Sequence, residues 1–159
     1  MRMALDGKLK KKVHCVYISP IKALANDIQR NLIGPLTEIS ERYLPDRAQE
    51  IKVGLRTGDT PQSERQRMLK HPPHILITTP ESLAIAITSP KFQPIVSELE
   101  YMIVDELHSL VPTKRGVHLG LTLSYLDTLV QTPVQRIGIS ATMEPLEKVA
   151  EYLVSSDDR

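Results

Sequence analysis

The residues best equipped for chemistry sit in short polar clusters, each placed just after an apolar run. Tyr101-Met102-Ile103-Val104 ends in Asp105-Glu106, with His108 three positions beyond the aspartate. Two carboxylates in that place suit a magnesium-dependent nucleotide hydrolase. The first holds a hard cation, usually through the cation's own waters. The second polarises a water for attack on a terminal phosphate. The same pair serves equally as two solvated acids at a strand end, and His108 alone reads as a surface imidazole. Ser140-Ala141-Thr142 offers two small hydroxyls after another such run, where hydroxyls also cap helices. Thr78, Thr79, Glu81 and Ser82 combine hydroxyls with the N–H groups of a helix start, which suits backbone phosphates or plain capping. Lys22, just past Pro20, and Arg56, close to Gly58, are single cations that meet phosphate or stay solvated. His14, His71, His74 and His118 have no zinc-site spacing, and Cys15 lies in an apolar run, packed rather than reactive.

Elements of a regular kind must carry these clusters. His14 to Ser19, closed by Pro20, reads as a buried strand, and Ile51 to Leu55 alternates like a second. Ile75 to Thr78, Tyr101 to Val104 and Arg136 to Ser140 complete a set of five. Between the first two, Ile21, Leu24, Ala25, Ile28, Leu32, Leu36 and Ile39 recur at the spacing of an amphipathic helix. Gly34-Pro35 predicts an end or kink within it. Further helices are expected over 64–70, capped by Thr60 or Ser63, and from Pro80 through Ile87, capped by Thr79. Two more cover 119–130 and 145–153. Strands alternating with helices give an α/β domain with a mostly parallel sheet. Ligands of such sheets bind beyond the carboxyl ends of the strands, where every cluster above falls.

Composition bounds the rest. A chain of 159 residues with 41% hydrophobic and 25% charged residues is ordinary for one soluble domain. No segment reads as a secretory signal or membrane span, and a single cysteine cannot form an internal disulfide, so a cytoplasmic location is expected. Residues 1–70 carry a net charge of +6 and residues 71–159 a net charge of −5, within a formal total of +1. A basic half is compatible with phosphate contacts or with solvated lysines.

Taken in order, Ser19-Pro20-Ile21-Lys22-Ala23-Leu24, Thr57-Gly58-Asp59, Thr79-Pro80-Glu81-Ser82, Asp105-Glu106-Leu107-His108 and Ser140-Ala141-Thr142 resemble the first RecA-like motor domain of superfamily 2 (DEAD/DEAH-box-type) helicases. The longer runs Arg56 to Arg65 and Lys114 to Leu119 resemble most the Lhr (large helicase-related) family. The resemblance covers residues 13–153, with 1–12 and 154–159 expected as frayed ends. It implies a mostly parallel RecA-like sheet flanked by helices, and ATP and Mg²⁺ as cofactors of the full-length parent. Asp105 would serve Mg²⁺ through water and Glu106 the attacking water. His108, Ser140 and Thr142 would couple the nucleotide to the nucleic acid. Pro20, Lys22, Ala23, Arg56, Gly58, Thr79, Pro80, Glu81, Arg115 and Gly116 would lie along bound single-stranded or partly duplex DNA, or an RNA–DNA hybrid. Phosphate contacts of that kind are sequence-tolerant and salt-sensitive. One Phe and five Tyr argue for backbone tracking over base stacking.

The family's Gly-Lys-Thr phosphate loop should precede the strand at His14, yet no G-x-x-x-x-G-K-[ST] occurs in this sequence. The expectation is therefore part of an ATP-dependent DNA helicase without its phosphate-loop strand or its second RecA-like domain. The remainder of the helicase chain would be a partner, and the 159 residues alone would not hydrolyse ATP. A nucleotide-independent nucleic-acid-binding or regulatory protein derived from a helicase is the alternative. The Asp-Glu pair speaks against it. In the family the phosphate-loop strand lies inside the sheet, so its loss should leave backbone groups unpaired and make the isolated chain marginal.

Overall fold

The computed structural model describes residues 9–43, 51–141, 144 and 146–154. Five strands form one wholly parallel sheet: β1 (Cys15–Ile18), β2 (Val53–Arg56), β3 (Ile75–Thr78), β4 (Tyr101–Val104) and β5 (Gln135–Gly138), in the order β2-β3-β1-β4-β5. Every strand is one of the short runs expected from the sequence. β3 and β4 coincide with their runs, β1 lies inside its run, and β2 and β5 are shifted along theirs to Val53–Arg56 and Gln135–Gly138. Register aligns their ends: Arg56, Thr78, Ile18, Val104 and Gly138 stand in one row across the sheet. The residue after each strand therefore starts a second row, which gathers clusters far apart in sequence onto one edge.

Among the described residues, seven helices accompany the sheet: α1 (Lys22–Tyr43), α2 (Gln62–Lys70), α3 (Pro80–Ile87), α4 (Gln93–Val96), α5 (Leu107–Leu110), α6 (Lys114–Asp127) and α7 (Leu146–Leu153). The core is apolar throughout, with Val16, Ile18, Leu76, Leu83, Phe92, Met102, Val104, Leu119, Leu123 and Leu126 at 1% exposure or less. Polar atoms that enter it are paired.

Three expectations need correction. Helix α1 runs through Gly34-Pro35 without ending there. Residues around this dipeptide lie on the outer part of the helix, and a Cβ at Gly34 would meet nothing within 4 Å, so no neighbour enforces a break. Helix α6 begins at Lys114, five residues before the apolar pattern does, because Thr113 caps it by accepting from the Gly116 N–H. Helix α2 starts after Pro61 with no side-chain cap, since the Thr60 hydroxyl is engaged with the Thr57 N–H and Leu55 carbonyl instead. Near the N-terminal side, Lys10 and Lys12 both pair with Glu98. The cap expected at Thr79 is present, with Pro80 in the first turn of α3.

Strand β5 closes one edge of the sheet and is the least buried strand. Ile137 and Ile139 are 40% and 45% exposed, although strands of parallel sheets are ordinarily covered on both faces.

Candidate active site and nucleic-acid face

Asp105 follows β4 directly and is 8% exposed. Its carboxylate is anchored at both oxygens. The Glu106 N–H donates to Oδ1 at 2.8 Å, and the Tyr17 hydroxyl donates to Oδ2 at 2.8 Å. Tyr17 lies on β1 opposite Ile103 of β4, two residues before the aspartate, so its ring spans the offset along the sheet. Burial, the hydrogen bond to Asp105 and the charges of Asp105 and Glu106 hold the phenol well above its ordinary range. It stays a donor. Sequence reading missed Tyr17, because the register that brings it beside Asp105 is not written in either segment.

Glu106 is the one non-glycine residue among those described with a left-handed backbone, at φ 54° and ψ 41°. Such a conformation costs energy and persists where the surroundings fix it. Here the Glu106 N–H is held by Asp105, and its carbonyl accepts from both the N–H and the hydroxyl of Ser109, each at 2.8 Å. The turn sends the Glu106 side chain toward His108, with Oε2 to Nε2 at 3.0 Å. The other ring nitrogen, Nδ1, accepts from the Ala141 N–H at 3.2 Å, which leaves Nε2 carrying the hydrogen donated to Glu106. Ser140 closes the group: its hydroxyl accepts from the His108 N–H at 3.2 Å and lies 3.4 Å from Nδ1. Glu106, His108 and Ser140 thus form one hydrogen-bonded chain from β4 to β5. Thr142 lies outside the described residues.

On the other half of the row stand the residues expected to follow a nucleic acid. Lys22 is exposed and paired with Asp59 at 2.8 Å. Gly58 sits below it; a Cβ there would lie 3.4 Å from the Lys22 Nζ. Ala23 is exposed on the first turn of α1. Arg56 is 8% exposed, with its guanidinium 5.2 Å from the centre of the Phe92 ring. Burial and the nearby Arg65 cation lower its pKa. Phe92 itself is 1% exposed, so its ring is a floor for Arg56 and not a stacking platform for bases.

Thr79 and Pro80 are buried, and the Thr79 hydroxyl is used within α3, donating to the Ser82 hydroxyl at 3.0 Å and accepting from the Ser82 N–H. Arg115 joins three of the clusters. It bonds Glu81 through both carboxylate oxygens, at 2.6 and 3.2 Å, and donates to the Pro20 carbonyl at 2.8 Å. Burial alone would raise the Glu81 pKa, yet Arg115, the residue's own N–H and the Thr79 hydroxyl hold it below the usual range. Gly116 is buried, and a Cβ on it would lie 2.3 Å from the Leu110 carbonyl oxygen. Its place in the first turn of α6 is one of close packing against α5. The expectation that Cys15 is packed agrees with a thiol pushed by burial up to about 11.

A groove of about 1100 Å³ is lined by residues that do not include Asp105. It runs between α1 and β2 and starts at Lys22, Thr57 and Asp59 on the nucleic-acid half. No three His, Cys, Asp or Glu side chains gather into a metal-holding group among the described residues, and no described helix is long and apolar enough to cross a membrane.

Comparison with known proteins agrees with this layout. Residues 1–150 match the family model for the DEAD/DEAH box helicase. The ATP-dependent helicase Lhr-Core of Methanothermobacter thermautotrophicus is 55% identical over 154 residues, covering 96% of this chain and 18% of the relative. The Lhr helicase/uracil glycosylase of Escherichia coli is 46% identical over 150 residues, covering 93% of this chain and 10% of the relative. Among solved structures, the Mycobacterium smegmatis helicase Lhr bound to ssDNA and AMP-PNP superposes with a TM-score of 0.82 at 46% identity, over 90% of this chain and 19% of that one. The chain spans about a fifth or less of the length of these relatives. Its parallel sheet, its ordered clusters at the strand ends and the match over nearly its whole length make it a member of the DEAD/DEAH box helicase family.

Proposed function

We propose that this chain is the part of an ATP-dependent DNA helicase motor that carries the water-polarising glutamate and one wall of the nucleic-acid track. The observation that carries this reading is the division of one row of strand ends into two linked halves. The β4–β5 half holds Asp105, Glu106, His108 and Ser140; the β2–β3–β1 half holds Arg56, Gly58 and Lys22. Tyr17 and Arg115 tie elements of the two halves together. The Lhr relatives support ATP and DNA as the ligands of the full protein, since one is named an ATP-dependent helicase and another is described bound to ssDNA and AMP-PNP.

The donor set at Asp105 fits magnesium. It is a hard carboxylate with each oxygen bonded once, so each keeps electron pairs for the waters of a small cation. Asp105 would hold the ion, which supplies charge neutralisation at the phosphates when bound. Glu106 supplies the base that orients and polarises the attacking water. Its hydrogen bond from His108 Nε2 fixes the carboxylate and makes its position depend on Ser140 and Ala141. Movement of the β5 end would therefore reach Glu106 through one histidine ring.

Two assays on the chain of 159 residues test the reading. Single-stranded DNA should be bound with an affinity that falls as salt rises, because contacts of this kind release counterions. ATP hydrolysis should not exceed that of a Glu106→Gln control, since no phosphate loop occurs in this sequence. Hydrolysis above the control would overturn the expectation that these 159 residues alone are inactive. Nucleic-acid binding with no influence of Asp105 or Glu106 substitutions on ATP use in a longer chain would favour the nucleotide-independent alternative.

A further inference from the structure

The loop from Thr57 to Pro61 is held by a side chain with no part in the reading above. Arg65, in the first turns of α2, donates Nε to the Thr60 carbonyl at 2.9 Å. Its Nη2 donates to the Gly58 carbonyl at 2.9 Å and to the Thr57 carbonyl at 3.2 Å. One guanidinium therefore gathers three carbonyls of a four-residue turn.

The planarity of the peptide bond gives this a consequence. In a trans peptide the N–H points opposite to the C=O of the same unit. Drawing the Thr57 carbonyl to Arg65 turns the Gly58 N–H away from it, and drawing the Gly58 carbonyl does the same for the Asp59 N–H. The Asp59 N–H is taken up by the Thr57 hydroxyl at 3.4 Å, while the Gly58 N–H meets no acceptor among the described residues. Two residues earlier, at the end of β2, is Arg56, nine-tenths buried on the Phe92 ring, with no carboxylate against its guanidinium among the described residues. Two cations, Arg56 and Arg65, flank a loop whose carbonyls are consumed and whose outward N–H is vacant.

We propose that Arg65 is a positioning residue for the nucleic-acid backbone: it holds the Thr57–Gly58 and Gly58–Asp59 peptide planes so that the Gly58 N–H and the Arg56 guanidinium face one phosphodiester together. The inference rests on the reading of this loop as part of the nucleic-acid track. Arg65 itself does not touch the phosphate, because its donors on this side are spent on carbonyls.

The test is fluorescence anisotropy of a short labelled oligothymidylate against the chain of 159 residues, over a salt series, with Arg65→Lys, Arg65→Gln and Arg56→Gln variants. Arg65→Lys keeps the net charge but cannot bridge three carbonyls. It should bind about tenfold more weakly, the loss expected from one or two hydrogen bonds to a charged group, with the wild-type salt slope. Arg56→Gln should lower the slope by about 0.7, the value for one phosphate neutralised on a single strand. The Gly58 amide resonance should shift on adding oligonucleotide to the wild type and stay still in Arg65→Lys, a signal that does not depend on Arg65→Gln folding. Wild-type affinity in Arg65→Lys, a slope lowered by about 0.7 in Arg65→Gln, or a static Gly58 amide in a wild type that still binds would each overturn the proposal while leaving the track intact. Absence of salt-dependent binding by the wild type would overturn the track reading, and this inference with it.

Discussion

At the scale of single residues, two exposed cations of the site are already partnered. Lys22 carries Asp59 and Arg115 carries Glu81, so a phosphate must compete with a carboxylate for either cation. Exposed pairs of this kind are worth roughly 0.2–1 kcal/mol. Asp59→Asn should therefore tighten single-stranded DNA binding about two- to fivefold at low salt, measured by anisotropy. Weaker binding would mean that Asp59 orders the loop more than it occupies the lysine. Glu81 makes a prediction about pH. Its pKa is held down in the folded state, so its contribution to stability is complete above the ordinary carboxylate range and is lost as pH falls through the lowered value. Arg115→Met should flatten the fall of melting temperature between neutral and acid pH. An equally steep fall would show that other carboxylates govern it.

At the scale of elements, the sequence announced most of what is present. Each of the five apolar runs became a strand, and the polar residues after each run became the ligand edge, because a parallel sheet places all strand ends on one side. Asp105, Glu106, His108 and Ser140 were legible for that reason. Tyr17 and Arg65 were not: one acts across a strand register and the other across a turn, and neither relation leaves a spacing in the chain. Of the end or kink expected at Gly34-Pro35, the end is absent, and no neighbour within 4 Å of a Cβ at Gly34 would enforce one. Gly116 shows the reverse, a residue whose motif context pointed outward while its contacts point inward. Its closeness to the Leu110 carbonyl lets α5 and α6 meet without a side chain between them. Gly116→Ala should cost roughly 1–3 kcal/mol through overpacking, read as a lowered melting temperature. A neutral effect would mean that the two helices can separate freely.

At the scale of the whole molecule, the two edge strands of the sheet differ in burial. Strand β5 has no sheet neighbour on one side among the described residues and is followed by exposed Ile139 beyond exposed Ile137, a geometry that invites pairing with another chain. The open edge lies next to the residues of the nucleotide half, whereas the nucleic-acid half is built on β2, β3 and β1 at the other end. Ile137→Lys should raise the monomeric fraction of the chain in sedimentation velocity with little change in melting temperature. Unchanged self-association would place the sticky surface elsewhere. The charge asymmetry of the sequence maps partly onto this division. Lys22 and Arg56 stand on the nucleic-acid half and Asp105 and Glu106 on the other, while the net charge of +1 gave no sign of either.

The central claim is that Glu106 polarises water for ATP hydrolysis while the β2–β3–β1 half holds the DNA. It is tested most directly by Glu106→Gln in a full-length helicase carrying this segment, with hydrolysis stimulated by single-stranded DNA and binding of the same DNA measured side by side. The account predicts a fall in rate of about 10²–10⁴-fold, the contribution of a positioned general base, with DNA affinity unchanged. A rate close to wild type, or a loss of DNA affinity equal to the loss of rate, would contradict it.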